Sequence, residues 1–244
     1  MSSKTQKFFY SKDSRGSADF GWLQANYSFS FGSFYNPKRM GFGTLKVLND
    51  DTIAPNKGFD THPHLDMEII TIVLEGALKH KDSEGNKGVI KAGDVQIMSA
   101  GKGIYHSEFN PSDTKQTKLL QIWISPDEKG IEPRYDQKTF SPIERKNQWQ
   151  TIVAPMNTQS EGIKINQKSW FSLLDIEKGM NISYELKEKE NGAYFLVLEG
   201  RLLLADEDLS ARDALGVIHA QNIMIEATRS SKILAIETPL GKYF

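Results

Sequence analysis

Short apolar runs of strand length, rich in β-branched and aromatic residues, punctuate this chain from end to end. The clearest are GTLKVL (43–48), EIITIVLEG (68–76), VQIMS (95–99), KLLQIWIS (118–125), YFLVLEG (194–200) and KILAIE (232–237). Polar, turn-forming clusters such as NDD, SEGN and AGKG stand between them, the punctuation expected of strands joined by tight turns. No window holds apolar residues at helical spacing over several turns. Only SARDALG (210–216) is expected to form a short turn of helix. Closely spaced strands of this kind predict an all-β chain built as antiparallel sandwiches or barrels.

The pattern also repeats. VLEG at 73–76 recurs at 197–200, and GVIKAGDVQI (88–97) aligns with GVIHAQNIMI (216–225). The offsets are 124 and 128, in the same order along the chain, which points to two related β-domains. A solenoid would repeat about every 20–50 residues. The polar, proline-containing stretch 126–148 reads as the connector.

Composition narrows the function. Thirty basic and 31 acidic residues leave a net charge of −1, so no basic stripe is available for direct nucleic-acid binding. Cysteine is absent, which excludes disulfides, thiolate metal sites and a cysteine nucleophile. The first residues, MSSKTQKFFYSKDSRGS, contain no apolar leader-like run, and no apolar run reaches membrane-spanning length. A soluble cytoplasmic protein without membrane contact is expected.

Candidate chemistry lies in THPHLDMEII (61–70) and SAGKGIYHSEFNP (99–111). On a strand, residues i and i+2 face one way, roughly 6.6 Å apart. His62 and His64 therefore share a face, as do His106 and Glu108. Pro63 points away, holds His62 extended and places the strand at an edge. Asp66 and Glu68 keep the same parity, and Ile70, Ile72 and Leu74 after them are expected to line the same interior. Three of the five histidines fall on these two stretches. A strand meander between them brings three imidazoles and a carboxylate together. Imidazole donors suit Fe, Ni, Cu and Zn, and a carboxylate also admits Mn. Four such donors on an octahedral ion leave two positions open for chemistry.

GFDTHPHLDMEIITIVLEG and AGDVQIMSAGKGIYHSEFNP resemble the two motifs of a cupin, and more specifically the pirin family with its bacterial quercetin 2,3-dioxygenase-like members. The resemblance extends upstream through FGWLQANYSFSFGSFYNPKRMGFG (20–43) and VLNDDTIAP (47–55), and downstream through QIWISPDEKGIEPRYDQKTF (121–140). It is specific over the first half and faint over the second. It implies a bicupin, two antiparallel β-barrels of the double-stranded β-helix or jelly-roll type packed face to face. A metal-binding domain at 1–140 would be followed by a domain at 141–244 without ligands.

The implied ligands are His62, His64, His106 and Glu108. A general cupin draws its glutamate from the place of Glu68, and parity admits both carboxylates. The pirin resemblance favours Glu108 and leaves Glu68 as a supporting group. The implied ion is Fe(II), with Ni, Cu, Mn or Zn as alternatives. The implied reaction is flavonol ring opening by O₂ with loss of CO, and Glu108 is the candidate base as well as a ligand. The partners would be a small aromatic or enolic substrate and O₂. The competing reading is a metal-binding regulatory module that contacts another protein. A metal-dependent isomerase or hydrolase is a third, for which no basic substrate pocket is apparent.

With the 124-residue offset, His62, His64 and Glu68 fall on Leu186, Glu188 and Gly192. With the 128-residue offset, His106 and Glu108 fall on Leu234 and Ile236. The second half is therefore expected to hold no metal. His80 is expected to be a partly exposed strand residue and His219 a surface residue. Trp22, Phe29, Phe31, Tyr35 and Phe42 are candidates for stacking on an aromatic substrate, with core packing the simpler expectation. Arg39, Lys79, Lys81 and Lys87 read as solvated charges.

Overall fold

In the computed structural model, residues 4–241 are described, so the outermost three residues of each expected domain lie outside it. The apolar runs are strands. The first half contributes β1 (Gln6–Tyr10), β2 (Gly16–Asp19), β3 (Leu23–Tyr27), β4 (Leu45–Ile53), β5 (Gly58–His64), β6 (Glu68–Glu75), β7 (Ala77–Asp82), β8 (Lys87–Lys91), β9 (Asp94–Ser99), β10 (Ile104–Phe109), β11 (Thr117–Ile124) and β12 (Arg134–Thr139). The second contributes β13 (Gln150–Pro155), β14 (Ile163–Ile165), β15 (Trp170–Ile176), β16 (Asn181–Glu185), β17 (Asn191–Glu199), β18 (Arg201–Leu204), β19 (Glu207–Ser210), β20 (Ala214–Ile218), β21 (Asn222–Ala227) and β22 (Ser231–Pro239). Two 3₁₀ turns, Lys12–Ser14 and Pro142–Arg145, are the helical elements among the described residues.

Each half pairs a seven-stranded sheet with a four-stranded one. The large sheets run β12-β9-β6-β11-β4-β3-β2 and β1-β20-β17-β22-β15-β13-β14; the small ones run β5-β10-β7-β8 and β16-β21-β18-β19. Among the described residues these strands pair antiparallel except for the short β13–β14 contact; an isolated parallel bridge joins Lys146 and Asp175. The two barrels expected of a bicupin are present, and strands are exchanged between halves at one point. The first strand, β1, completes the edge of the second large sheet against β20. The expected connector contains β12, which extends the first sheet against β9.

The largest apolar core lies between the halves. Ile70, Ile72, Ile97, Leu120 and Ile122 from one large sheet meet Phe171, Leu173, Tyr194, Leu196 and Leu234 from the other. The barrels therefore pack large sheet to large sheet, as stacked sheets do when both inner faces are apolar. Phe42 crosses this junction. A Cβ added at Gly192 or Gly216 of the second half would stand 2.8 or 2.6 Å from its ring, so the bare backbone there makes room for the aromatic. Gly216→Ala is expected to cost about 1–3 kcal/mol through overpacking, read as a lower urea midpoint. An unchanged midpoint would mean that the ring yields freely.

Several sequence expectations are corrected here. NDD is no turn: Asn49, Asp50 and Asp51 lie inside β4, with Asn49 and Asp51 buried. SARDALG forms no helix; Ser210 ends β19 and Ala214 opens β20. The parity of β5 does not carry into β6. Asp66 between them has φ of 48°, and the chain passes there from the small sheet to the large one. Ile70 and Ile72 consequently face the other half, while Ile69 and Val73 face the first barrel's interior.

The second repeat match is displaced by one strand. GVIKAGDVQI spans β8 and β9, in the small and then the large sheet. GVIHAQNIMI spans β20 and β21, in the large and then the small sheet. By position in the sheets, the counterpart of β10 is β21, not β22.

Candidate metal centre

Among the described residues the edge strand β5 pairs with β10 alone, and β10 pairs on its other side with β7. Each of the three carries a polar pair at i and i+2: His62 and His64, His106 and Glu108, His80 and Asp82. The register sets His106 opposite His62 on one side and Asp82 on the other, with Glu108 opposite His80. Between His106 and Glu108 the β5–β10 register shifts by one residue; the extra residue lies in β5 between Phe59 and His62 and bends that strand, while the β10–β7 register runs unbroken.

The three predicted histidines converge. Ring centroids are 4.4 Å apart for His62 and His106, 4.8 Å for His64 and His106, and 5.0 Å for His62 and His64. One ring nitrogen of each lies within 4.8 Å of the other two. Donors at about 2.0–2.1 Å from one ion stand roughly 3–4 Å apart, so this group can hold a metal ion with small adjustment. His80, His106 and Glu108 form a second group of the same closeness, and His106 belongs to both.

The donor chemistry fits an ion as well. The Nδ1 of His62 lies 2.7 Å from the Asp60 carbonyl oxygen. That oxygen only accepts, so Nδ1 is the donor there and Nε2 is the ring nitrogen left to face an ion. Both ring nitrogens of His106 are buried without a hydrogen-bond partner, a state that costs about 1–3 kcal/mol per orphaned group and that a bound ion relieves.

The solved structures point the same way. YhhW from Escherichia coli superposes with a TM-score of 0.92 at 38% identity, over 98% of this chain and 100% of that one. The bacterial pirin YhhW from Escherichia coli in complex with nickel(II) gives 0.90 at 38% identity, over 96% and 99%. A curated relative, quercetin 2,3-dioxygenase of Escherichia coli K12, is 41% identical over 229 residues, 92% of this chain and 95% of that protein. The pirin family model matches residues 9–124, and the model for the quercetinase C-terminal cupin domain matches 151–238. The chain belongs to the pirin family.

In this pirin, burial sets the electrostatics of the site. His64 is held down to about 4, by burial first and by the charge of His62 second. His106 is held down to about 2, by burial and then by its neighbours His62, His64 and His80. Both are therefore neutral, lone-pair-bearing imidazoles at ordinary pH. Glu108 goes the other way: burial raises it to about 7. The Gln121 amide donates to its two oxygens at 3.0 and 3.3 Å, and Thr71 donates to Gln121 at 3.1 Å.

Behind Glu108 the floor of this pirin's first barrel is polar. Asn49, Gln121, Thr71 and Gln96 stand in register across four strands. Asp51, two residues along β4, is raised to about 8, by burial first and by nearby Asp50 and Glu108 after it. The second barrel shows the contrast. Tyr184, Leu202, Leu204, Ile223 and Ile225 occupy its small sheet and pack in one apolar core. It builds no comparable group among the described residues.

Glu68 lies in neither metal-capable group. Its carboxylate turns to the junction of the two halves, accepting from Ser99 Oγ at 2.7 Å and from Asn166 Nδ2 at 3.1 Å. Aromatic side chains wall the half-exposed histidines: Trp123 lies 4.9 Å from His64, Phe59 6.3 Å from His62, and Trp22 and Phe31 back those two rings. Of the other aromatic candidates, Phe29 and Phe42 are core and Tyr35 is exposed.

Two charged or polar residues depart from expectation. Arg39 is buried; it donates to the Ser28 carbonyl at 3.1 Å and covers the Tyr10 ring. His80 is fully buried beside Asp82 and His106. Its signal was in the sequence: KHKDS places His80 and Asp82 at the same i and i+2 spacing as the two pairs already recognised. His219 is exposed, as are Lys79, Lys81 and Lys87.

Proposed function

We propose that this pirin is a metal-dependent dioxygenase whose ion is held by His62, His64, His106 and Glu108, and whose substrate is a small aromatic or enolic compound, a flavonol such as quercetin being the model. The observation that carries this reading is the convergence of three imidazoles at a half-exposed barrel mouth walled by aromatic rings. A divalent ion bound there, Fe(II) or another ion of the same donor preference, supplies Lewis acidity toward an enolic oxygen and a route to O₂.

The protein's own part is positioning and proton handling. Trp22, Phe59, Phe31 and Trp123 offer the flat apolar surface a fused aromatic ring stacks on. Glu108 is the candidate base for the substrate hydroxyl, as the carboxylate beside the imidazole group; its midpoint near 7 is that of the metal-free site. Gln121 fixes the carboxylate by donating to both oxygens. In the overall reaction both atoms of O₂ enter the products, the heterocycle opens and CO leaves. The YhhW nickel complex and the relative named quercetin 2,3-dioxygenase support the reading.

The test is turnover of metal-loaded protein with quercetin in air and under anaerobic conditions. Quercetin loss with matching O₂ uptake and CO release is expected in air, and none without O₂. Loaded protein that consumes no O₂ on any flavonol or enediol removes the dioxygenase reading and leaves the regulatory one.

A further inference from the structure

His80 has no part in the ligand set just proposed, yet it is one of the most constrained side chains in the barrel. It is fully buried. Its Nε2 lies 3.1 Å from Asp82 Oδ2, Tyr135 packs on its ring with centroids 4.8 Å apart, and His106 adjoins it at 5.4 Å. Asp82 is itself pinned: its oxygens accept from the backbone amides of Glu84 and Asn86 and from the Asn86 side chain. A carboxylate so occupied accepts the His80 Nε2 proton, which leaves Nδ1 as a lone pair. That Nδ1 is buried and unpartnered.

Three buried imidazole nitrogens in this corner therefore lack partners: Nδ1 of His80 and both nitrogens of His106. One hydrogen bond and one ion satisfy all three. A metal-bound imidazole characteristically donates its second N–H to an acceptor that fixes its tautomer and raises its basicity.

We infer that His80, oriented by Asp82, is the acceptor for the non-ligating N–H of His106, so that Asp82, His80 and His106 form a relay that positions the ligand on its ion. The inference rests on the metal centre proposed above. Donor atoms of His80 and His106 lie within 4.8 Å of each other, a gap that a turn of the His106 ring or one water closes. His80 is thus a positioning residue that acts through His106.

Two variants separate the roles of its nitrogens. His80→Gln keeps an amide near Nε2 for Asp82 and removes the acceptor at Nδ1. His80→Asn places an amide oxygen near Nδ1 and gives up Asp82. Nickel(II) affinity, measured by competition with a chelator, is expected to fall about 10–100-fold in His80→Gln, the range for losing such an outer partner, and to stay within about threefold of wild type in His80→Asn. X-ray absorption on the nickel-loaded proteins should count the same imidazoles in wild type and in His80→Gln.

Equal affinity in wild type and His80→Gln overturns the relay while leaving the metal centre standing. An imidazole count that drops by one in His80→Gln also overturns it, by making His80 a ligand. Wild type that takes up no nickel overturns the centre and the relay together. A measurement on metal-free wild type needs no variant: ¹⁵N-resolved imidazole spectra should show His80 protonated on Nε2 and bare on Nδ1. A proton on Nδ1 refutes the relay even if the variants do not fold.

Discussion

Replacing His106 with alanine is expected to abolish metal binding and, with it, the stabilisation that metal confers on the fold. His106 is the one residue common to both metal-capable groups. Its two ring nitrogens are buried and unpaired, and burial keeps its imidazole neutral down to about 2. A ligand that binds only the folded state stabilises it by about 2.7 kcal/mol at a free concentration of 100 times Kd. For a chain of 150–250 residues, 1 kcal/mol moves Tm by roughly 2–4 °C. Wild type should therefore melt about 5–10 °C higher with saturating nickel or Fe(II) than without. His106→Ala should show no metal-dependent shift and should retain essentially no ion after desalting. His219→Ala, at an exposed histidine far along the chain, is the control and should behave as wild type. Equal metal content in wild type and His106→Ala would refute the site.

Much of this architecture is legible in the residues, because strand-length apolar runs have few other uses. The runs at 68–76, 118–125, 194–200 and 232–237 became β6, β11, β17 and β22, the strands at the centre of the two large sheets. The histidine pairs were readable for a local reason: alternation along one strand depends on nothing beyond that strand. Pro63 likewise marked β5 as an edge, which it is.

What was not legible depends on partners distant in sequence. NDD looks like a turn because polar residues usually face water, yet Asn49 and Asp51 face a polar barrel interior. Ile70 and Ile72 look like barrel lining until one knows that a second sheet covers that face. The repeat match erred because apolar alternation is nearly the same in neighbouring strands. A one-strand slip preserves the pattern and changes the sheet. The comparison between the halves moves to other residues. Ile223 and Ile225 on β21 now replace Leu234 and Ile236 in the comparison. His80 reads as partly exposed in the sequence because a lone histidine after a turn is ordinarily half-exposed. Its burial is decided by β10 on one side and by Tyr135 from β12 on the other.

Metal affinity and metal-free stability should respond to pH in opposite directions through neutrality, with Glu108 contributing to both. Its carboxyl rises from 4.5 to about 7 because burial penalises the anion. At ~1.4 kcal/mol per pH unit, holding it ionised in the metal-free fold costs on the order of 3 kcal/mol. The folded state binds this proton more tightly than the unfolded one. The stabilisation is thus complete below 4.5 and is lost as pH rises through about 7. Asp51 acts in the same sense, from 3.8 to about 8. His64 and His106 oppose them. Their lowered values, about 4 and about 2, favour the fold above 6.5 and are lost as pH falls below it. Between about 4.5 and 6.5 the two pairs largely offset each other. Of these four groups only the two carboxyls still titrate from about 6.5 to 8, Asp51 more than Glu108, so the chelator-treated protein should lose stability over that interval. An ion needs the Glu108 carboxylate ionised, so nickel affinity should rise with pH up to about 7, where about half a proton is released per ion, and level off by pH 8. Glu108→Gln removes the group from both balances. It should remove about a third of the stability lost between pH 6.5 and 8, leaving the larger Asp51 slope, make stability rise with pH between about 4.5 and 6.5 where the histidines are then no longer fully offset, and weaken nickel binding at pH 8 more than at pH 6. Urea midpoints and chelator competition across that range measure the two curves on one preparation. A stability profile in Glu108→Gln that still falls as steeply as wild type would assign the titration to Asp51 and remove Glu108 as the proton-bearing group of the site.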